Sequence, residues 1–399
     1  VLTQDSELVD PILRLLAEGQ CFAFGESTGG CVGTAGSPES AAPGRLDPLA
    51  VSLSLAETPR KSMASTGLSR LVERFAVGLS AGPDSSALAI CAAEIARRHN
   101  VQVRLFHVHH GLMPQADAWL GRVEQLAALL DLELQVRHVK VDLDQGVGLE
   151  AAARKARHHA LKQMAIGSDT AYVLLAHHLQ DQAETVLQRL FRGAGVSGAA
   201  AMRPVAAAGG GAIRGTSVDA PDAYQRSVWW LRPWLGVSRD RIVRCVRQFE
   251  LATGWQAVDD PSNTDQSLAR GMIRGALAPL ISKHWPGWVP NLARHAEQAQ
   301  EASALLDEYG CLLLEQIGDS DTTLDLRRWR ALTSPQQSLV LRTWLALLSL
   351  QMPSQRRLAE LCRQLNQVHA FGHDRVLLWR QSGCEIRCIR GKIHLQVTI

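Results

Sequence analysis

Residues 74–85 read Arg74-Phe-Ala-Val-Gly-Leu-Ser-Ala-Gly-Pro-Asp-Ser85, and the fold class turns on them. The first half is a short apolar run, the pattern of a strand covered on both faces. The second half is a turn of small residues, and from Ser85 to Arg98 an apolar helical pattern follows. Such a turn at a helix N-terminus presents backbone N–H groups and the positive end of the helix dipole to an anion. Ser80 and Ser85 add hydroxyl donors, and Asp84 can hold a divalent cation against phosphate oxygens. A strand-to-helix turn with Ser and Asp caps explains the same six residues without any ligand. The turn lacks Gly-Lys-Ser/Thr, so it is not the phosphate loop of kinases and P-loop NTPases.

Outward from this stretch the same alternation continues. Strands are predicted at 101–108, 133–139 and 171–176, and helices at 115–131, 149–166 and 180–191. Short apolar strands alternating with helices predict an α/β fold with a doubly wound, mostly parallel sheet, in which ligands bind beyond the carboxyl ends of the strands. The conspicuous polar clusters all fall at those ends. Segments 202–205 and 228–233 read as a hairpin pair around a Gly-rich tip. Beyond 260, helices at 265–281, 290–317, 335–349 and 354–368 precede short strands at 374–380, 385–390 and 393–398. That is a second, smaller, mainly helical domain with a small β element. Residues 1–62 contain no Met, and 27–58 are rich in Ser, Gly, Ala and Pro. The expected division is a disordered extension over 1–68, with the working protein starting near Met63, a catalytic domain over 69–260 and a helical domain over 261–399.

At 399 residues, two domains are the natural expectation, and 46% hydrophobic with 20% charged residues is ordinary for a globular chain. No apolar run approaches the roughly 20 residues of a membrane-spanning helix. A net charge of +3 does not by itself advertise nucleic-acid binding. Of 42 basic residues 36 are Arg, the better fork for phosphates and carboxylates, although a GC-rich genome gives the same bias. The eight cysteines form no Cys-x-x-Cys pair, which fits reduced thiols in a cytoplasmic protein.

The turn at 80–85 resembles the Ser-Gly-Gly-x-Asp-Ser motif of the PP-loop ATP pyrophosphatases, with Ala81 in place of the first Gly. Further blocks follow in order: His107-Val-His-His-Gly-Leu112, Leu149-Glu-Ala-Ala-Ala-Arg-Lys-Ala-Arg157, His177-His-Leu-Gln-Asp-Gln-Ala-Glu-Thr185, Arg192-Gly-Ala-Gly195, Arg232-Pro-Trp-Leu-Gly-Val-Ser-Arg239 and Asp260-Pro-Ser-Asn-Thr-Asp265. Together they are similar to the tRNA(Ile)-lysidine synthetase family, densely over 70–260 and more loosely over 265–399. The resemblance implies an ATP-dependent carbon–nitrogen ligase with Mg²⁺ that joins free L-lysine to an anticodon cytidine of isoleucine tRNA. The cytosine carbonyl oxygen attacks the α-phosphate of ATP; the lysine side-chain amine then attacks carbon 2 and AMP leaves. Gln180 and Gly271 stand where the family usually has Asp and Asn, and many members carry a third domain for which 265–399 leaves no room. The alternatives are another PP-loop tRNA-modifying enzyme, such as a thiolation enzyme, and a non-catalytic nucleotide- or tRNA-binding module. A homodimer is compatible with all three.

Residue by residue, the resemblance implies an ATP seat at Ser80, Ala81, Gly82, Pro83, Asp84 and Ser85, with Asp84 the metal ligand. Asp181 and Glu184, three apart on one helix, share a face, and the resemblance implies that they receive lysine. Arg157 is implied to face the same pocket, although salt bridges would also explain Arg154 and Arg157. His177 can orient the amine, touch the adenylate or act as general base, since an amine near pKa 10.4 must lose a proton before attack. His107, His109 and His110 lack a carboxylate or Cys to complete a metal set and read as structural or base-positioning groups. Arg192, Arg239, Arg270 and Arg274, with Arg294, are expected to contact tRNA phosphates.

Overall fold

The computed structural model describes residues 5–24, 72–111, 115–141, 148–208, 227–259, 269–368, 377–381 and 383–397. The expectations for 27–58, Met63, the Gly-rich tip and the 260–265 block lie outside them.

Strands β1 (Arg74–Gly78), β2 (Gln102–His109), β3 (Glu133–His138) and β4 (Tyr172–Leu174) are followed by the antiparallel pair β5 (Val205–Ala207) and β6 (Trp229–Leu231). The sheet order is β3-β2-β1-β4-β6-β5, with every neighbouring pair except β6/β5 parallel. The chain therefore winds outward from β1 to β3 and returns on the other side of β1 with β4. The gap between β1 and β4 is the switch point at which such sheets bind ligands. Within β1 the alternation of the pleat divides the core: Phe75 and Val77 join one buried cluster and Ala76 the other.

Helices α1 (Ser6–Phe24), α2 (Pro83–His99), α3 (Ala116–Leu130), α4 (Leu149–Gly167), α5 (Leu179–Phe191), α6 (Val196–Ala199) and α7 (Arg239–Thr253) surround this sheet. The expected disordered extension is overturned over 6–24. Leu8, Val9, Ile12 and Leu16 lie at helical spacing, and all four are buried in the core that also holds Leu88, Ile95, Trp234 and Phe249. The Trp234 indole donates to the Leu8 carbonyl at 3.0 Å, and Arg241 on α7 pairs with Asp5 and Glu7. The polar composition downstream obscured this apolar stripe.

Beyond the sheet, α8 (Ala269–Met272) runs through a π turn at Ile273–Leu277 into α9 (Ala278–His284). The long α10 (Trp288–Ile317) packs on α5 and α6 at one end and on the C-terminal core at the other. That core is built from β7 (Gly318–Ser320), β8 (Thr323–Asp325), α11 (Leu326–Ala331), α12 (Ser334–Leu347), α13 (Gln355–Gln367), β9 (Leu377–Gln381), β10 (Cys384–Ile389) and β11 (Lys392–Val397). Its five strands form an antiparallel sheet ordered β7-β8-β11-β10-β9. Strands β7 and β8 and helix α11 were not read from the sequence. Among the described residues no helix is long and apolar enough to cross a membrane.

Because Ile12 is fully buried, Ile12→Ala is expected to cost about 2–5 kcal/mol in urea unfolding. A change below about 0.5 kcal/mol would show that α1 does not dock.

Candidate active site

The site begins where β1 ends. Ala81 is completely buried and adopts φ +64°, and its carbonyl accepts from the Val258 N–H at 2.9 Å. This left-handed residue is where the PP-loop motif has Gly, and it turns the chain sharply from the sheet into α2. Pro83 occupies the first turn of α2, where its missing N–H costs nothing. Gly82 is the N-cap and offers no side-chain cap, so no side chain covers the N-terminal amides of α2. The hydroxyl of Ser85 is spent inside the turn: it accepts from the Ser80 N–H at 3.0 Å and donates to the Gly82 carbonyl at 3.1 Å. It therefore braces the loop, and the Ser80 hydroxyl, 3.0 Å away, is the more exposed of the two.

A cavity of about 260 Å³ opens above this turn, lined among others by Asp84, His107, Trp119, Arg157, Arg239 and Arg274. Arg239, expected on a tRNA-facing stripe, instead points here, with Nε 3.5 Å from Asp84 Oδ1. Burial raises the Asp84 carboxyl, but nearby His178, Arg239 and Arg274 outweigh it and hold the group below its ordinary range. Asp84 Oδ1 is buried and accepts no hydrogen bond, which suits an incoming cation. Among the described residues no three His, Cys, Asp or Glu side chains converge on a metal position. One carboxylate with phosphate oxygens is the donor set Mg²⁺ commonly takes, so the residues present fit a cation that arrives with nucleotide.

The second half of the site follows β4. His178 caps α5: the Asp181 N–H donates to Nδ1 at 3.4 Å, and the His178 N–H donates to Asp181 Oδ2 at 3.1 Å. That leaves Nε2 as the protonated nitrogen of the neutral ring, 3.4 Å from Asp181 and 3.7 Å from Asp84. His178 thus stands between the two halves, whereas the sequence pattern pointed to its neighbour His177. The signal was present as a polar residue three before an Asp at a helix start, but His is not a favoured N-cap.

Asp181 and Glu184 do share a face, and Glu184 is fully buried. Their charges are already met. Arg274 donates to Glu184 Oε1 at 2.7 Å and to Asp181 Oδ1 at 3.0 Å. Arg270 donates to Glu184 Oε2 at 3.2 Å and lies 3.3 Å from Asp181. Both arginines, expected to face tRNA, are folded inward from α8 and the π turn. Burial raises the Asp181 carboxyl, yet His178, Arg270, His177 and Arg274 bring it below normal.

Burial pushes His177 well below its usual value, with Asp181 opposing and Arg232, Arg154 and Arg270 reinforcing the shift. The ring is therefore neutral near pH 7 and resists protonation. Arg157 reaches the cavity, its guanidinium lowered by burial and by Arg154. His107 Nδ1 hydrogen-bonds the Leu79 carbonyl at 2.9 Å, and His109 Nε2 contacts Asp117 at 3.1 Å, so both brace the cavity wall. Arg192 ends α5 exposed, and Arg294 is held by Asn291 on α10.

Comparison with known proteins bears on the fold and the family. A family model described as a PP-loop domain matches residues 57–281, more than half of the chain, and a TilS substrate binding domain matches 324–394. The tRNA(Ile)-lysidine synthase of Bordetella parapertussis is 43% identical over 324 residues, covering 81% of this chain and 89% of that protein. The tRNA(Ile)-lysidine synthase of Ralstonia nicotianae is 39% identical over 327 residues, covering 82% and 65%. Among solved structures, the U34-tRNA thiolase NcsA from Methanococcus maripaludis aligns over 57% of this chain and 72% of its own at 18% identity, with a TM-score of 0.45, too low to bear on function. The chain is a PP-loop protein with an ATP-binding fold. Within that class it belongs to the tRNA(Ile)-lysidine synthase family.

Two measurements check the site's physics. Ala81→Gly relieves left-handed strain but removes a buried methyl of similar worth, so a net change below about 1 kcal/mol is expected in urea unfolding, whereas β-branched Ala81→Val is expected to destabilise by more than that; wild-type stability in Ala81→Val would show that the turn does not need positive φ. His107, 6% exposed, has its pKa lowered from 6.5 to about 4, chiefly by burial. Its neutral form contributes stability fully above pH 6.5, lost as pH falls from there toward 4. Between pH 7.5 and 5 the loss is about 2 kcal/mol from this group, and His107→Gln should remove that part of the pH dependence.

Proposed function

We propose that this protein forms lysidine: it activates an anticodon cytidine of isoleucine tRNA with ATP and joins it to free lysine. The observation that carries the reading is the uncapped N-terminus of α2 at the β1/β4 switch point, tied through His178 to the Asp181/Glu184 pair. In this reading the amides of α2 and the Ser80 hydroxyl hold the nucleotide phosphates, with Arg157 and Arg239 facing them across the cavity. Asp84 would hold Mg²⁺, whose chemistry is to neutralise charge on the phosphate oxygens during attack at the α-phosphorus. Trp119 offers a face on which a base extruded from the anticodon loop stacks.

Asp181 and Glu184 receive an ammonium group of lysine. Because Arg270 and Arg274 now neutralise them, lysine enters by replacing a guanidinium, and the site stays charge-balanced before and after. His177, neutral and at the end of β4, orients the attacking amine; as the amine forms its bond to carbon 2, AMP leaves with the former carbonyl oxygen, and the proton the amine sheds passes to the departing phosphate. Exclusion of water while the adenylated base waits protects the intermediate. This assigns nucleotide chemistry to 69–260 and tRNA binding to 261–399, with Arg192 and Arg294 on exposed surface toward tRNA. Arg270 and Arg274 complete the lysine pocket from beyond that boundary.

The test is mass spectrometry of nucleosides from isoleucine tRNA incubated with ATP, with and without lysine. Lysidine and AMP are expected only when lysine is present. Asp84→Asn is expected to abolish adenylation while tRNA affinity stays, and Asp181→Asn to accumulate the adenylated tRNA. Sulfur incorporation, or ATP binding without turnover, would replace the reading with a thiolation enzyme or a binding module.

A further inference from the structure

The imidazole of His178 is 1% exposed, and its Nε2 has no hydrogen-bond partner. The rest of the residue is pinned. Its backbone forms a parallel bridge to Trp234, its N–H donates to Asp181 Oδ2 at 3.1 Å, and its Nδ1 accepts the Asp181 N–H at 3.4 Å. Because Nδ1 accepts, the ring proton sits on Nε2, so a buried donor stands between the starts of α2 and α5 without an acceptor. Orphaned donors of this kind are uncommon in protein interiors, where an unmade hydrogen bond costs stability.

Two carboxylates lie near that donor, with Asp181 Oδ2 at 3.4 Å and Asp84 Oδ2 at 3.7 Å. Asp181 is already engaged: Oδ2 accepts from the His178 N–H and Oδ1 from Arg274. Asp84 is less so. Its Oδ1 is buried without a hydrogen bond, and Arg239 stands 3.5 Å away. The two Asp84 oxygens therefore face different neighbours, Oδ2 the His178 ring and Oδ1 Arg239, which lines the cavity. The ring is held at its backbone and at Nδ1, so it is the fixed member of this pair, and the Asp84 carboxylate is the one free to adjust.

We propose that His178 is a positioning residue for the cation site: its Nε2–H holds Asp84 Oδ2 and so leaves Oδ1 for a divalent cation that arrives with nucleotide. The proposal rests on the assignment of Mg²⁺ to Asp84 in the reading above and adds to it the group that orients this ligand. Partners that hold the ligating carboxylates of a metal site govern affinity almost as strongly as the ligands do, by about 10–100-fold. The same ring caps the helix that carries Asp181 and Glu184, so the cation ligand takes its orientation from the lysine pocket.

The test is calorimetric titration of the full chain, without tRNA, with an ATP analogue carrying a methylene bridge between its α- and β-phosphorus atoms. Each protein is titrated with Mg²⁺ and again with EDTA, and the readout is the ratio of the two affinities. Wild type is expected to bind more tightly with Mg²⁺. His178→Asn keeps an oxygen for the Asp181 N–H, since Asn is a good helix cap, but is too short to reach Asp84. Its ratio is expected to fall by about tenfold while the affinity in EDTA stays at wild type. His178→Gln brings an N–H to the reach of Nε2 but is a poorer cap, and is expected to recover most of the ratio. A capping role alone reverses that order, with His178→Asn close to wild type and His178→Gln the weaker, and this result would overturn the proposal. An equal loss of affinity with and without Mg²⁺ would assign the effect to structure and overturn it too. Asp84→Asn separates the two failures. It is expected to lose the gain from Mg²⁺; if it keeps that gain, or if wild type shows none, the cation reading falls and the proposal with it. Loss in Asp84→Asn beside a wild-type ratio in His178→Asn removes only the positioning role.

Discussion

The left-handed turn at Ala81 is the constraint on which the site depends. A chain leaving the centre of a parallel sheet must reverse within a few residues if the next helix is to point its amides at the strand ends. One positive φ does this, and Val258 fixes the turn from outside by hydrogen-bonding the Ala81 carbonyl. The Ser85 hydroxyl ties the two ends of the loop together from inside. Because the turn is held in these ways, the helix dipole, Asp84 and the cavity wall arrive in one place without further adjustment. A side chain at this position is tolerated at a strain of about 1 kcal/mol.

Charge is distributed around that turn so that no buried carboxylate stands alone. Asp84 has Arg239 and His178 beside it, and Asp181 and Glu184 share Arg270 and Arg274. Burying a charge is tolerable only when it is paired and hydrogen-bonded. The same logic that stabilises the resting arrangement also makes it responsive: a ligand bearing an ammonium group replaces a guanidinium at little electrostatic cost. Since the two arginines come from the segment after 269, the pocket is complete only when that segment is docked on α5.

The sequence revealed those parts of this architecture that depend on local pattern. β1 to β4 and α2 to α5 emerge within a residue or two because apolar period and turn chemistry are local signals; Asp84 stood out by its turn, and Asp181 and Glu184 by helical spacing joined to the family resemblance. What stayed hidden depends on distant partners. Nothing near Arg270 or Arg274 announces that their counterions lie some 90 residues earlier, so they read as surface cations. His178 was missed because a histidine cap is uncommon, although the Asp three residues later was visible. Strands β7 and β8 are three residues each, too short to show a period. Helix α1 was dismissed with the polar stretch beyond it, because what reveals it is its burial against Trp234 and α7.

That docking sets an order of events during synthesis. The hydrogen bond from Trp234 to Leu8 spans 226 residues, so once synthesised this helix waits for a much later piece of the same core. At translation rates of about 5–20 residues per second, the delay is roughly ten to forty-five seconds. Throughout it the stripe of Leu8, Val9, Ile12 and Leu16 has no Trp234 or α7 to cover it. Closure of the nascent domain is thus a late, long-range event, and an apolar helix held in waiting is a natural client for a chaperone.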